Sequence, residues 1–225
     1  MRKVLFVICI FYATLCGAQN HQDVRDSLSV ANEALEQHPD SVDLILKKAR
    51  WNLELEQWQY ARDEYDKILR MNPSNIAALY YRAFVNEKQL RYNFARLDYE
   101  NLLKLVPGNF EAELGLALLN QKDQHYTEAY DQINRLVNQF PSNATAYAAR
   151  AGIEQERGML ELAEYDYSKA IEYAPDNKDY LLNRADIRIK LYKTDEARED
   201  LEKLVKLGTA RGSLKEYFDK CSKNK

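Results

Sequence analysis

The residues that could do chemistry are few and scattered. The three histidines are His21, His38 and His125. Only His125 has an acidic residue at helical spacing, Glu128, and two side chains fall short of the three protein ligands that a catalytic metal needs. The seven glycines are dispersed and form no phosphate-cradling loop. Asn143-Ala144-Thr145 spells a glycosylation sequon. Asn75, Asn109 and Asn177 occupy the corresponding positions of other segments, where a short polar side chain caps a helix, and capping accounts for Asn143 as well. No convergent set of nucleophile, base and oxyanion donor emerges, so the expectation is a non-catalytic chain without cofactor or metal.

Charged residues do recur in register. Arg82, Arg150 and Arg184 are each followed sixteen residues later by Asp98, Asp166 and Asp200. Lys48 with Glu64 is a similar pair, and Leu116 with Gln132 drops both charges together. This covariation within one chain predicts an ion pair inside each repeated segment. An exposed pair contributes only ~0–1 kcal/mol, but the pairing takes these arginines off the list of ligand contacts.

The elements that position these residues follow from the prolines. Pro39, Pro73, Pro107, Pro141 and Pro175 are all the prolines present, and 34 residues separate each from the next. Proline cannot continue a helix, so each one ends a helical segment. The Ser or Asn that follows can cap the next helix. With the proline at place 32, place 8 holds Ala49, Ala83, Ala117, Ala151 and Ala185. Place 20 holds Ala61, Ala95, Ala129, Ala163 and Ala197. Small residues there let two antiparallel helices approach closely. Places 24 and 27 carry Tyr65 and Ile68, Tyr99 and Leu102, Ile133 and Leu136, Tyr167 and Ala170, and Leu201 and Leu204, on one helical stripe.

This pattern resembles the tetratricopeptide repeat, a 34-residue helix-turn-helix unit. The resemblance runs from residue 42 to about residue 208 and is most complete at residues 144–175. It implies an all-α, right-handed superhelical solenoid. Five units are expected at residues 42–75, 76–109, 110–143, 144–177 and 178–209. Residues 19–41 form an N-terminal capping half repeat, helical over 24–37, with Asp23, Arg25, Asp26, Ser29, Asn32 and Glu33 on its polar outer face. Residues 210–225 form a C-terminal capping helix and a loose tail. There Ser213 and Glu216 suggest a capping box, and Leu214, Tyr217, Phe218 and Cys221 form one apolar stripe. Cys221 on that stripe is expected to be a packed thiol.

The resemblance also implies where a ligand would sit. In such arrays the first helix of each unit lines a concave groove. The corresponding residues are Leu46 and Arg50, Tyr80 and Phe84, Leu114 and Leu118, Ala148 and Gly152, and Leu182 and Asp186, with Tyr81 bordering them. An apolar strip with a polar rim suits an extended peptide or an amphipathic helix, with Tyr80 and Phe84 as anchors. Packing of the leucines against the next unit is the competing reading. The basic and asparagine-rich clamp of chaperone-binding members is missing, so acidic C-terminal tails are not the expected partner. An alternative is a glycan- or solute-associated protein that stacks sugar rings on the groove tyrosines.

The N-terminus has a basic head at Arg2-Lys3, an apolar run over 4–15 and small residues ending at Ala18, the pattern of a secretory signal at 1–18. The run is shorter than the roughly 20 residues of a membrane span, so no transmembrane segment is expected. Bulky Leu15 argues against lipid attachment at Cys16. Cleavage would leave 30 basic and 35 acidic residues and one cysteine, Cys221, so no internal disulfide. The acidic body argues against nucleic acid. The expectation is an exported, periplasmic scaffold that binds a protein or peptide partner.

Overall fold

The computed structural model describes residues 14–223, with side chains from Gln22 to Ser222. Most of the expected signal, residues 1–13, lies outside the described residues, as do the last two residues of the tail. Among the described residues there are twelve α-helices, one 3₁₀ turn and no strand. The chain divides into two compact parts, one ending at Leu105 and the other beginning at Val106.

The first part holds α1 (Thr14–Gln37) and the hairpins α2 (Val42–Glu54)/α3 (Trp58–Met71) and α4 (Ile76–Lys88)/α5 (Tyr92–Leu105). The second holds α6 (Phe110–Lys122)/α7 (Tyr126–Gln139), α8 (Ala144–Glu156)/α9 (Leu160–Tyr173) and α10 (Lys178–Lys190)/α11 (Thr194–Lys206). The 3₁₀ turn Arg211–Leu214 and α12 (Lys215–Lys223) follow. Each part is a stack of helix hairpins of the α-solenoid class, in which each helix packs mainly on its neighbours in sequence.

The local chemistry repeats with the sequence. Ser41, Asn75, Asn109, Asn143 and Asn177 cap α2, α4, α6, α8 and α10. Each side-chain oxygen accepts the amide of the residue three further on, at 2.9–3.1 Å for the four asparagines. All ten repeated alanines are fully buried at the helix crossings. A single Cβ is what the two backbones leave room for.

Each hairpin turns through one residue in the left-handed region: Glu56, Leu90, Gln124, Gly158 and Tyr192, with φ of 55–75°. The next amide in each turn reaches back to the helix five residues earlier, as in Gln57 N–H to Asn52 at 2.8 Å and Lys193 N–H to Arg188 at 2.8 Å. These are Schellman closures, which favour glycine because a Cβ crowds the carbonyl at positive φ. Only Gly158 meets that preference. Gly158→Ala is therefore expected to cost about 1 kcal/mol, although nothing lies within 4 Å of an added Cβ. Tyr192→Gly is expected to gain a similar amount, since the Tyr192 ring is exposed. Denaturant midpoints of the two variants, moving in opposite directions, check this.

Two terminal features differ from the sequence expectation. The first helix starts at Thr14, ten residues before residue 24, and runs on through the expected cleavage position after Ala18. No proline interrupts residues 14–23, so each residue adds a hydrogen bond to a helix already nucleated. The Ser213–Glu216 capping box is not formed. Within the 3₁₀ turn the Ser213 hydroxyl donates to the Ala210 carbonyl at 2.7 Å, and Glu216 pairs with Lys220 at 2.7 Å. Leu214, Phe218 and Cys221 are buried against Leu201, Leu204 and Ala185. Burial pushes the Cys221 thiol above its ordinary pKa, which suits a packed group.

Candidate functional site

The first part carries an aromatic cluster centred on α4. Tyr80 and Phe84 are half-buried, one turn apart on the same helix face. Tyr80 meets the buried Tyr99 edge-on at 6.1 Å, and Phe84 meets Trp58 edge-on at 6.3 Å. The Lys88 ammonium sits 5.1 Å from the Phe84 ring centre. Tyr81 is 41 % exposed and stacks on Tyr65 at 5.9 Å with nearly parallel planes. Tyr80 and Tyr81 also touch edge-on at 5.3 Å. Burial raises the Tyr65 and Tyr99 phenols well above the usual range, so both rings stay neutral. On α2, Leu46 is half-buried, and the largely exposed Arg50 lies 3.5 Å from Glu54. Phe84 is thus held from two sides while part of Tyr80 and Tyr81 remains open.

The corresponding face of the second part is less open. Leu114 and Leu118 are half-buried and pack on the core formed by Ala117, Ile133, Leu136, Val137, Ala146 and Ile153. Leu182 packs on the last core cluster, and Asp186 pairs with Lys190 at 2.5 Å. Ala148 packs on the core between α8 and α9, and Gly152 is buried. These aliphatic side chains do structural work in their own part, whereas the α4 aromatics leave surface free.

The recurrent charges sit on the opposite side of the same helices. Arg82 bonds Asp98 through Nη2 at 2.5 Å and Nε at 2.9 Å; Arg150 bonds Asp166 at 2.5 and 2.8 Å, and Arg184 bonds Asp200 at 2.6 and 3.0 Å. Lys48 reaches Glu64 at 2.7 Å. Each arginine also reaches back sixteen residues to the preceding hairpin: Asp66 at 2.7 Å, Asn134 at 3.1 Å and Ser168 at 3.0 Å. One guanidinium thus joins three helices. The aspartates are only 1–3 % exposed, so the small energy of a surface pair does not apply to them. Burial raises the Asp98 carboxyl, with Arg82 pulling against it. A buried pair adds little net stability over an apolar one, yet breaking it is costly.

A second polar column accompanies the first and escaped the sequence reading. Place 11 holds Asn52, Asn86, Asn120, Glu154 and Arg188, the first four buried. Asn86 donates to Asp98 at 3.2 Å, Asn120 to Gln132 at 2.8 Å and Arg188 to Asp200 at 2.8 Å. The repeat pattern has Leu at place 7 and Tyr at place 11, so this chain has replaced an apolar seam by a polar one. The 34-residue recurrence of polar residues on the alanine-bearing face was the signal that could have revealed it.

Residues 179–207 match the sequence profile of the tetratricopeptide repeat. No curated protein sequence matches the chain. Among solved structures, it resembles a tetratricopeptide repeat protein from Parabacteroides merdae ATCC 43184, with 22 % identity, a TM-score of 0.75, and coverage of 92 % of this chain and 81 % of that one. MamA from Desulfovibrio magneticus RS-1 is 20 % identical at a TM-score of 0.61, covering 75 % and 95 % of the two chains. YrrB, described as having an unusual peptide-binding site, is 20 % identical at a TM-score of 0.53, covering 79 % and 92 %. These likenesses show the fold. Together with the 34-residue register of caps, left-handed turns and buried alanines, they give the chain the tetratricopeptide repeat fold.

Proposed function

We propose that the chain is a non-catalytic scaffold of the bacterial cell envelope that holds a protein or peptide partner on the face formed by the first helix of its hairpins. The observation that carries this reading is the half-exposed Tyr80, Tyr81 and Phe84 surface, with the Lys88 ammonium beside the Phe84 ring. Aromatic side chains fixed by their own neighbours lose little entropy on binding, and a partner's apolar residues gain area against them. The fold is one generally used for protein interaction, and YrrB in the same fold class is described as having an unusual peptide-binding site. The secretory pattern at 1–18 supports export to the periplasm, and among the described residues no helix is long and apolar enough to cross a membrane. One face of Tyr81 is already covered by Tyr65, which favours a peptide side chain over a stacked sugar ring.

The test places a photo-crosslinking residue at position 84 in cells, with the exposed position 100 on α5 as control. Position 84 is expected to capture one partner that position 100 does not. Tyr80→Ala with Phe84→Ala should then weaken binding of that purified partner at least about tenfold while the helical circular dichroism persists. Unchanged affinity in the double variant removes the site.

A further inference from the structure

The fourth hairpin departs from the second, third and fifth in one respect: its place-11 side chain is an acid rather than a nitrogen donor. In the second hairpin, the place-11 side chain is the neutral Asn86, whose amide donates to Asp98. In the third, Asn120 donates to Gln132 in the same way. In the fifth, Arg188 donates to Asp200. The fourth hairpin alone places an acid there, Glu154, with its carboxyl group within hydrogen-bonding reach of Asp166. Glu154 is 3 % exposed, and its Oε2 has no donor.

The groups facing this acid come from three helices. From α7, the Tyr130 hydroxyl donates to Glu154 Oε1 at 3.1 Å, and Asn134 is occupied by Arg150. From α8, Arg150 lies 4.0 Å from Oε1 and is committed to Asp166 through two bonds. The Arg157 guanidinium stacks on the Tyr130 ring at 4.9 Å, and Glu156 on the same helix is turned to Gln121 of α6. From α9 comes Asp166. One guanidinium therefore serves two buried carboxyl groups, and a donor is missing where the second, third and fifth hairpins make one.

We propose that Glu154 is protonated in the folded chain and donates that proton to Asp166, standing in for the amide of the second and third hairpins, and that losing it to water loosens the α7–α8–α9 seam. The neutral acid presents an O–H donor toward Asp166 from the same place that presents an amide N–H toward Asp98 in the second hairpin. The ionised form puts two negative charges within hydrogen-bonding distance in a site that water does not reach, where like charges cannot both be stable. Burial, and then the Asp166 charge, push the Glu154 carboxyl up to about 7, so the change falls in the neutral range.

The sign follows from linkage. Between the ordinary carboxylate value of about 4.5 and about 7, the folded chain holds a proton that the unfolded chain has released. Stability contributed by this group is complete at low pH, falls as pH rises through that window and is flat above it. Glu154→Gln keeps a donor toward Asp166 and cannot ionise. The folding constant of the wild-type chain relative to this variant, measured by denaturant unfolding, should fall by up to about tenfold per pH unit between pH 5 and pH 7 and then level off. Amide exchange in α8 and α9, corrected for intrinsic rate, should be faster at pH 8 than at pH 6 in the wild type and equal at both in the variant. A constant ratio from pH 5 to pH 8 overturns the proposal. If the variant does not fold, carboxyl-carbon NMR of Glu154 in the wild-type chain decides: a titration midpoint above 6 supports the proposal, and one at or below 6 overturns it.

Discussion

Arg150→Leu is expected to destabilise the chain by about 3–5 kcal/mol, the cost of leaving a buried charge without its partner. Asp166, 1 % exposed, loses both guanidinium bonds, at 2.5 and 2.8 Å, and faces Glu154 with no cation between them. Asn134 on α7 loses its contact as well, so the damage reaches two seams. At this size the melting temperature should drop by roughly 10 °C or more. The chain itself supplies the rescue, because its third hairpin has Leu116, Asn120 and Gln132 at the corresponding places. Arg150→Leu combined with Glu154→Asn and Asp166→Gln recreates that neutral set, and should recover most of the loss because no charge is left buried. Thermal melts of the single and triple variants decide the matter. A single variant that melts with the wild type would mean that the ion pair holds nothing together.

The same comparison among hairpins explains what could be read from the sequence. Proline punctuation, caps and the ten alanines depend on backbone geometry that recurs every 34 residues, so five copies made the signal plain. The pairing of Arg82 with Asp98 was legible because unit three dropped both charges together. Its burial was not, since burial depends on the preceding hairpin, where Asp66 and Asn134 lie across the seam. The place-11 column was missed for a related reason: Asn52, Asn86 and Asn120 look like ordinary solvent-facing residues until their helix face is known. The candidate groove was read from the repeat's usual places, and those places do not separate Leu114, which packs on the core, from Tyr80, which keeps surface free. At the C-terminus, Ser213 and Glu216 had the right spacing for a capping box, yet a 3₁₀ turn took the hydroxyl first.

Ile133→Ala carries the other large expected effect and tests how the second part holds together. Ile133 is fully buried in α7, in one cluster with Ala117 of α6 and Ala146 and Ile153 of α8. Truncation removes transfer energy and leaves a cavity that helices held by cross-helix hydrogen bonds close poorly, at a cost of about 2–5 kcal/mol. In a stack where each hairpin touches only its neighbours, such a loss weakens one seam rather than the whole. Amide exchange in α6 and α7 should therefore speed up by about thirtyfold or more, since each factor of ten corresponds to about 1.4 kcal/mol. Helices α10 to α12 have a separate core of Leu181, Ala185, Leu201, Leu204, Leu214 and Phe218, and should keep most of their protection. Ile133→Val, which leaves a far smaller void, should cost only about 0.5–1.5 kcal/mol and preserve a single unfolding transition. Equal acceleration in every helix from α6 to α12 would show that the part unfolds as one unit, and the nearest-neighbour account of its stability would have to be abandoned.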